Sequence, residues 1–329
     1  MLREAIFYKK LNLEKNIVRC ELCPHRCVIN PNNVGNCLIR KNIDGKLYLT
    51  TYGEITSIAI DPIEKKPLYH FFPSKNILSI GTTGCNLKCP FCQNWQISSK
   101  KAFTEEISIE KLANLVVTHN SIGIAYTYNE PFIWYEFILD AAKNMHDHNI
   151  KNVFVTNGCI NAEPLEKLLP YIDAANVDLK AFNNDFYRWV KGDLETTLQT
   201  IELLHKNNKH LELTNLVIPT KNDNPDEFYE MCKWISSLSK DIPLHISRYF
   251  PNHKLSIPPT PISTLKNFYN IAKRCLNYVY IGNVLIDDAA STYCPLCNFE
   301  VIKRSGYNTI VNIKDNKCPK CGNTLPILL

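Results

Sequence analysis

Ser79-Ile80-Gly81-Thr82-Thr83-Gly84-Cys85-Asn86-Leu87-Lys88-Cys89-Pro90-Phe91-Cys92-Gln93-Asn94-Trp95 is the stretch on which the reading of this chain turns. It begins as the end of an apolar run with the character of a buried strand and passes through Gly81 and Gly84 into three cysteines spaced CxxxCxxC. Glycine suits a backbone that must fold tightly and pass close to an inorganic core. Iron–sulfur clusters are held by cysteine thiolates, four for a [4Fe-4S] cubane. A loop with three thiolates holds three irons and leaves the fourth open to a substrate or cosubstrate. Phe91, just before the last cysteine, is placed to pack over such a cluster. Three buried free thiols or half of a zinc site are the alternatives. Zinc knuckles, however, are built from CxxC pairs, which three cysteines in eight residues match poorly.

Outward from this loop the chain alternates strand-like and helical stretches, the pattern of parallel α/β architecture. Strands are expected at 77–80, 122–126, 153–156, 174–177, 211–218 and 244–248, with a further apolar run at 278–281. Helices are expected at 108–118, 133–146, 162–169, 194–205, 225–236 and 263–276. The resulting fold class is α/β: a partial (β/α)6 barrel over 76–288, a Cys-rich N-terminal segment over 1–75, and a zinc-ribbon-like tail over 289–329. Residues 1–18 read as a short helix or lead-in, and 47–60 as a hairpin turning at Gly53-Glu54. The polar, proline-bounded run from Asp61 to His70 reads as a solvated loop or a cover for the cavity mouth.

Barrels of this kind gather their chemistry at the C-terminal strand ends, where the cysteine loop falls. The other strand ends carry Thr127-Tyr128-Asn129-Glu130-Pro131, Thr156-Asn157-Gly158, Asp178-Leu179-Lys180, and His245 within Leu244-His245-Ile246-Ser247-Arg248. Asp178 and Lys180 are two residues apart and so share a strand face.

The fourteen cysteines fall mostly in clusters. In a chain of 329 residues without an apolar leader or a run long enough to span a bilayer, this suggests metal binding in the cytoplasm, away from membranes. Cys20, Cys23, Cys27 and Cys37 make a four-thiol set for zinc or a second cluster. Cys294, Cys297, Cys318 and Cys321 form two CxxC knuckles with the tetrahedral zinc-ribbon pattern; a rubredoxin-like iron site uses the same ligands. The tail reads as a separate unit, so losing its metal is expected to unfold the tail alone. Net charge is +5, from 37 basic and 32 acidic residues, which permits a nucleic-acid partner without arguing for one.

The chain resembles the radical S-adenosylmethionine (SAM) enzymes, specifically the radical SAM member of the AmmeMemoRadiSam group, itself similar to pyruvate formate-lyase-activating and other glycyl-radical activases. The resemblance rests on Cys23-Pro24-His25-Arg26-Cys27, Asp61 to His70, Gly84-Cys85 through Trp95, Thr127 to Pro131, Val177 to Lys180, His245 to Arg248 and the terminal ribbon. It implies Cys85, Cys89 and Cys92 as ligands of a [4Fe-4S] cluster whose open iron chelates SAM. Asn129 and Glu130 stand where relatives meet the methionine amino group, often with Gly-Gly-Glu; here Tyr128 and Asn129 replace the glycines. Thr156, Asn157, Asp178 and Lys180 fall where ribose and carboxylate are held.

The implied reaction is reductive cleavage of SAM to a 5′-deoxyadenosyl radical that abstracts hydrogen, with ferredoxin or flavodoxin as reductant. No protein base is required for that step, and His245 is available for a later proton transfer. The substrate is a small molecule or cofactor precursor handled with AmmeMemoRadiSam partner proteins, or a glycyl-radical protein. A non-catalytic iron–sulfur and zinc module that carries electrons or binds RNA is the third alternative.

Overall fold

The computed structural model describes residues 1–286 and 289–329; the boundary expected at 288 lies outside the described residues. Eight strands form the central sheet: β1 (Ser57–Pro62), β2 (Asn76–Gly81), β3 (Gly123–Tyr126), β4 (Lys151–Thr156), β5 (Ala174–Asp178), β6 (His210–Val217), β7 (Leu244–Arg248) and β8 (Val279–Gly282). They are hydrogen-bonded in that order, with β1 and β8 as the two edges. Strands β2 to β8 run parallel and β1 runs antiparallel to β2. All four residues of β3 are buried, as expected of strands covered on both faces.

The connecting helices are α1 (Ile109–Thr118), α2 (Tyr135–Asp147), α3 (Ala162–Leu168), α4 (Asn184–Trp189), α5 (Leu194–Lys206), α6 (Pro225–Leu238) and α7 (Ile262–Lys273). Their starts are written locally. Asn224 accepts hydrogen bonds from the Asp226 and Glu227 amides, proline opens α6, and two acids occupy its first turn. Asp193 caps α5 through the Thr196 amide.

Four expectations change. Residues 47–60 are not a hairpin: Lys46–Leu49 pairs with Arg40–Ile43, while β1 pairs with β2 and extends the central sheet. Each half gains a better-buried partner than the other half offers. The N-terminus is not helical; Arg3–Glu4, Tyr8–Asn12 and Ile17–Cys20 are strands in two small sheets. The third is the segment from Asp61 to His70, which enters the interior instead of covering the mouth. Ile63, Leu68 and Phe71 join Ile77, Ala125, Val153 and Ala174 in one buried cluster. Asn176 on β5 donates to the Pro67 carbonyl (2.7 Å). Glu212 on β6 accepts the Tyr69 and His70 amides (2.9 and 2.7 Å), and Tyr280 on β8 meets the His70 ring (2.6 Å). The sheet curls round this ten-residue stretch, which forms a floor.

The fourth concerns the tail, which is hydrogen-bonded to the floor. Its strands β9 (Thr292–Tyr293), β10 (Glu300–Ser305) and β11 (Asn308–Val311) form a small sheet, and the chain then returns to the floor. The Leu328 amide donates to the His70 carbonyl and the Phe72 amide to the Leu328 carbonyl, both at 2.8 Å. Arg304 donates to the Tyr69 carbonyl (2.6 Å) and stacks on the Tyr69 ring.

Candidate active site

A cavity of about 590 Å³ opens at the C-terminal ends of the parallel strands. Cys85, Cys89 and Cys92 line one side; Asn129, Glu130, Thr156, Asn157, Asp178 and Lys180 line it from the ends of β3, β4 and β5. The structure thus brings all nine of these sequence-derived residues together.

Two of the six polar residues, Asn129 and Asn157, fix the cysteine loop, and the others bond among themselves or to nearby backbone. Asn129 donates to the Gly84 carbonyl (2.8 Å) and accepts the Thr82 amide (3.2 Å). Asn157 donates to Asn86 (2.9 Å) and approaches the Cys85 Sγ (3.8 Å). Glu130 accepts the Thr156 hydroxyl (2.7 Å) and the Asn157 and Phe132 amides. Burial pushes the Glu130 carboxyl up to about 7 despite those three donors. Lys180 pairs with Asp178 (2.8 Å). Burial opposes the lysine's charge, but Asp178 and the nearby Cys89 outweigh it and hold the ammonium form.

Tyr128 adopts a left-handed φ of 71°, a conformation that is costly for a residue with a side chain. Two contacts hold it there: its hydroxyl donates to Asp61 (2.7 Å), and its carbonyl accepts from Asn94 (2.6 Å).

The cysteine trio fits a cluster better than a single ion. Among the described residues, the only group of three or more His, Cys, Asp or Glu ligand atoms within 4.8 Å of one another is the C-terminal set. The central thiols are therefore spread more widely than a lone metal needs. Phe91 packs with Leu87, Phe186, Tyr187 and Val190, and Cys85 and Cys89 lie against this apolar group. Burial pushes both thiols up, Cys89 to about 12, so a metal cluster held here would have to supply the positive charge that keeps them ionised.

His245 lies elsewhere. It is buried and bonded to Glu212 (2.7 Å) beneath the cavity, not among the cavity-lining residues. Burial opposes the Glu212 charge, but hydrogen bonds from His210 and His245 hold its carboxyl well below the usual range.

Sequence reasoning missed the buried Asp61–Lys66 pair (2.6 Å), with Lys66 in the cavity wall. It also missed Tyr307, which reaches the cavity from the turn between β10 and β11, and helix α4, which supplies Phe186 and Tyr187. The unusual charge density of Asp61 to Lys66 was the one available signal.

At the C-terminus, the Cys294–Cys321 and Cys297–Cys318 sulfurs stand 3.6 and 3.5 Å apart. Tetrahedral zinc–thiolate bonds of 2.3 Å would place sulfurs about 3.8 Å apart. These four cysteines can hold one metal ion. No helix among the described residues is long and apolar enough to cross a membrane.

An open parallel sheet with an incomplete cysteine quartet at its strand ends defines a class of SAM-dependent iron–sulfur enzymes. The radical SAM superfamily model matches residues 79–235, and the chain belongs to that superfamily as an enzyme. A Methanocaldococcus jannaschii protein described as uncharacterized is 42% identical over 338 residues, covering 100% of both chains. A putative glycyl-radical enzyme activating enzyme of the same organism is 25% identical over 238 residues, 68% of this chain and 93% of that one. Among solved structures, a radical SAM methyltransferase from Sphaerobacter thermophilus shares the fold with a TM-score of 0.52 and 13% identity, over 88% of this chain and 80% of that one.

Proposed function

We propose that this enzyme binds a [4Fe-4S] cluster through Cys85, Cys89 and Cys92, holds SAM in the adjoining cavity, and acts on a small molecule or cofactor precursor. When bound, cluster and SAM together supply reductive cleavage to a 5′-deoxyadenosyl radical that abstracts hydrogen from substrate. The chain's own residues bind, orient and exclude water. Glu130 offers a carboxylate to the methionine ammonium. Asp178, Lys180, Thr156 and Asn157 are polar partners for carboxylate and ribose. Phe91 and its aromatic neighbours keep solvent from the cluster side.

The observation that carries the small-molecule reading is the position of the ribbon. Tyr307 faces the same cavity as Lys65, Lys66 and Pro67, and Arg304 ties the ribbon to the floor and to Tyr280 beyond it. A ribbon residue in the cavity wall favours a small substrate over a polypeptide. The motifs from Asp61 to His70 and from Thr127 to Pro131 support membership of the AmmeMemoRadiSam system, with its proteins as partners.

Ferredoxin or flavodoxin suits the reductant role, and zinc suits the ribbon's thiolate spacing. All fourteen cysteines are free, which supports a cytoplasmic setting. The test is anaerobic reconstitution with SAM and dithionite: wild type should release 5′-deoxyadenosine and Cys89→Ala none. Equal release from both sinks the reading.

A glycyl-radical activase is the second reading, favoured by the M. jannaschii relative of that name. A glycyl-radical signal on a co-expressed partner protein, dependent on Cys89, would select it.

A further inference from the structure

Cys20, Cys23 and Cys27, from the one connection between the strands Ile17–Cys20 and Val28–Ile29, converge with Cys37 on one cavity, which Arg40, Asn86 and His25 also line. Three observations characterise this chamber. First, its ligand atoms do not gather within 4.8 Å of one another, as those of the ribbon do. One tetrahedral zinc ion needs sulfurs about 3.8 Å apart, whereas a cubane binds each thiolate at a different iron corner and so needs a wider ring.

Second, the chamber has a buried donor with nothing to donate to. Arg40 is 1% exposed. Its Nη1 and Nη2 are spent on Glu136 and the Ile133 carbonyl, and its Nε–H has no partner. Such a donor is costly unless something in the chamber accepts from it; a cluster sulfide or cysteine thiolate is an acceptor of the right kind. Third, the Asn36 amide already points to the Cys27 Sγ (3.5 Å), and His25 is tied by Nε2 to the Asn86 carbonyl (2.8 Å).

The chamber also abuts the central loop. A Cβ on Gly84 would lie 2.2 Å from the Cys37 carbonyl oxygen, so the residue before Cys85 touches a ligand of the second set directly. Asn86, one residue past Cys85, forms part of the chamber wall.

We infer that the N-terminal chamber holds a second [4Fe-4S] cluster, ligated by Cys20, Cys23, Cys27 and Cys37, that relays electrons to the SAM-binding cluster. With four thiolates its irons are all occupied, so it binds no SAM. It accepts one electron from an external low-potential one-electron donor and is reoxidised as that electron passes to the neighbouring cluster; no proton or bond is exchanged. The relay rests on the proposed SAM-cleaving reading, whereas the cluster does not.

The decisive measurement is metal and sulfide content with EPR on the whole chain after anaerobic reconstitution. Wild type should carry about eight irons, and the Cys85→Ala/Cys89→Ala/Cys92→Ala variant about four with four sulfides. That variant's reduced signal should not respond to SAM. Adding Cys20→Ser and Cys37→Ser should remove the remaining iron while ribbon metal and circular dichroism persist. If the triple variant fails to fold, wild type decides: about four irons, or zinc in the chamber, overturns the assignment.

For the relay, protein is photoreduced, freed of reductant and mixed with SAM. Wild type should yield about twice the 5′-deoxyadenosine per chain of the Cys20→Ser/Cys37→Ser variant, each cluster storing one electron. Equal yields overturn the relay, while the iron count judges the cluster independently.

Discussion

The two ends of the chain each carry four cysteines, yet they are built for different occupants. The C-terminal sulfurs already stand at 3.5–3.6 Å, in knuckles closed by backbone bonds such as Gly322 N–H to the Cys318 carbonyl (2.8 Å). The N-terminal sulfurs surround a chamber and leave a buried arginine donor unmet. Equal ligand counts therefore do not imply equal sites. How far the backbone brings the donors together, and what it leaves unsatisfied around them, separates a closed ion site from a cluster chamber.

The largest expected effect comes from emptying the closed site. Structural zinc contributes about 10–16 kcal/mol of apparent binding free energy that is also folding free energy. The ribbon also anchors the floor through Arg304 and Leu328. A Cys294→Ser/Cys318→Ser variant should melt at much lower temperature and lose hydrogen-exchange protection in the floor, not in the ribbon alone. The Cys20→Ser/Cys37→Ser variant should leave floor protection unchanged. Equal loosening of the floor by both would erase the distinction.

Next in size is Arg40→Ala. It strands Glu136, whose oxygens accept from Arg40 at 3.1 and 2.7 Å in a fully buried pair. Breaking such a pair costs about 3–5 kcal/mol, whereas replacing both partners by apolar residues is often near neutral. Urea unfolding should show this loss for Arg40→Ala and a much smaller one for Arg40→Met/Glu136→Leu. A small loss in the single variant would mean that the pair does not brace the chamber.

The same contrast explains what the sequence disclosed. Parallel strands buried on both faces are written as apolar runs between polar turns, so 153–156 and 244–248 read correctly within Lys151–Thr156 and Leu244–Arg248. The central trio was legible because its ligands are eight residues from first to last. Long-range choices were not. Nothing near Ser57–Pro62 states that it pairs with Asn76–Gly81 and not across Gly53. Lys66 reads as a solvent lysine until Asp61 and the Tyr128 ring enclose it. Arg40 and Glu136 look equally ordinary, because each finds its partner across 96 residues. Helix α4, at six residues, is too short to show a period.

Gly84→Ala tests the contact between the chamber and the central loop. At φ +88° the residue lies in the left-handed region, where a side chain costs about 1–2 kcal/mol. The new methyl group would also collide with the Cys37 carbonyl oxygen. Iron bound at both cluster sites should fall after reconstitution while ribbon metal stays constant. Loss confined to the central trio would show that Cys37 tolerates displacement and that the two sites are less tightly joined.

The smallest effect is a pH dependence that separates a satisfied carboxylate from one awaiting its partner. Glu136 has its guanidinium in place, whereas Glu130 meets only amides and a hydroxyl, and burial lifts it to about 7. A carboxyl raised in this way is neutral below that pH and anionic above it, so the form that attracts an ammonium exists on the alkaline side. SAM affinity should be full above pH 7. As pH falls further it should weaken by up to about tenfold per unit, because ligand binding must then first expel the proton. In Glu130→Gln the curve should be flat and weak throughout; the amide oxygen can keep the Thr156 and Phe132 donors, which share one Glu130 oxygen, while the Asn157 amide loses its acceptor. Equilibrium SAM binding between pH 6 and 8 reads this directly. A wild-type curve as flat as that of the glutamine variant would mean that the ammonium is held by something other than Glu130.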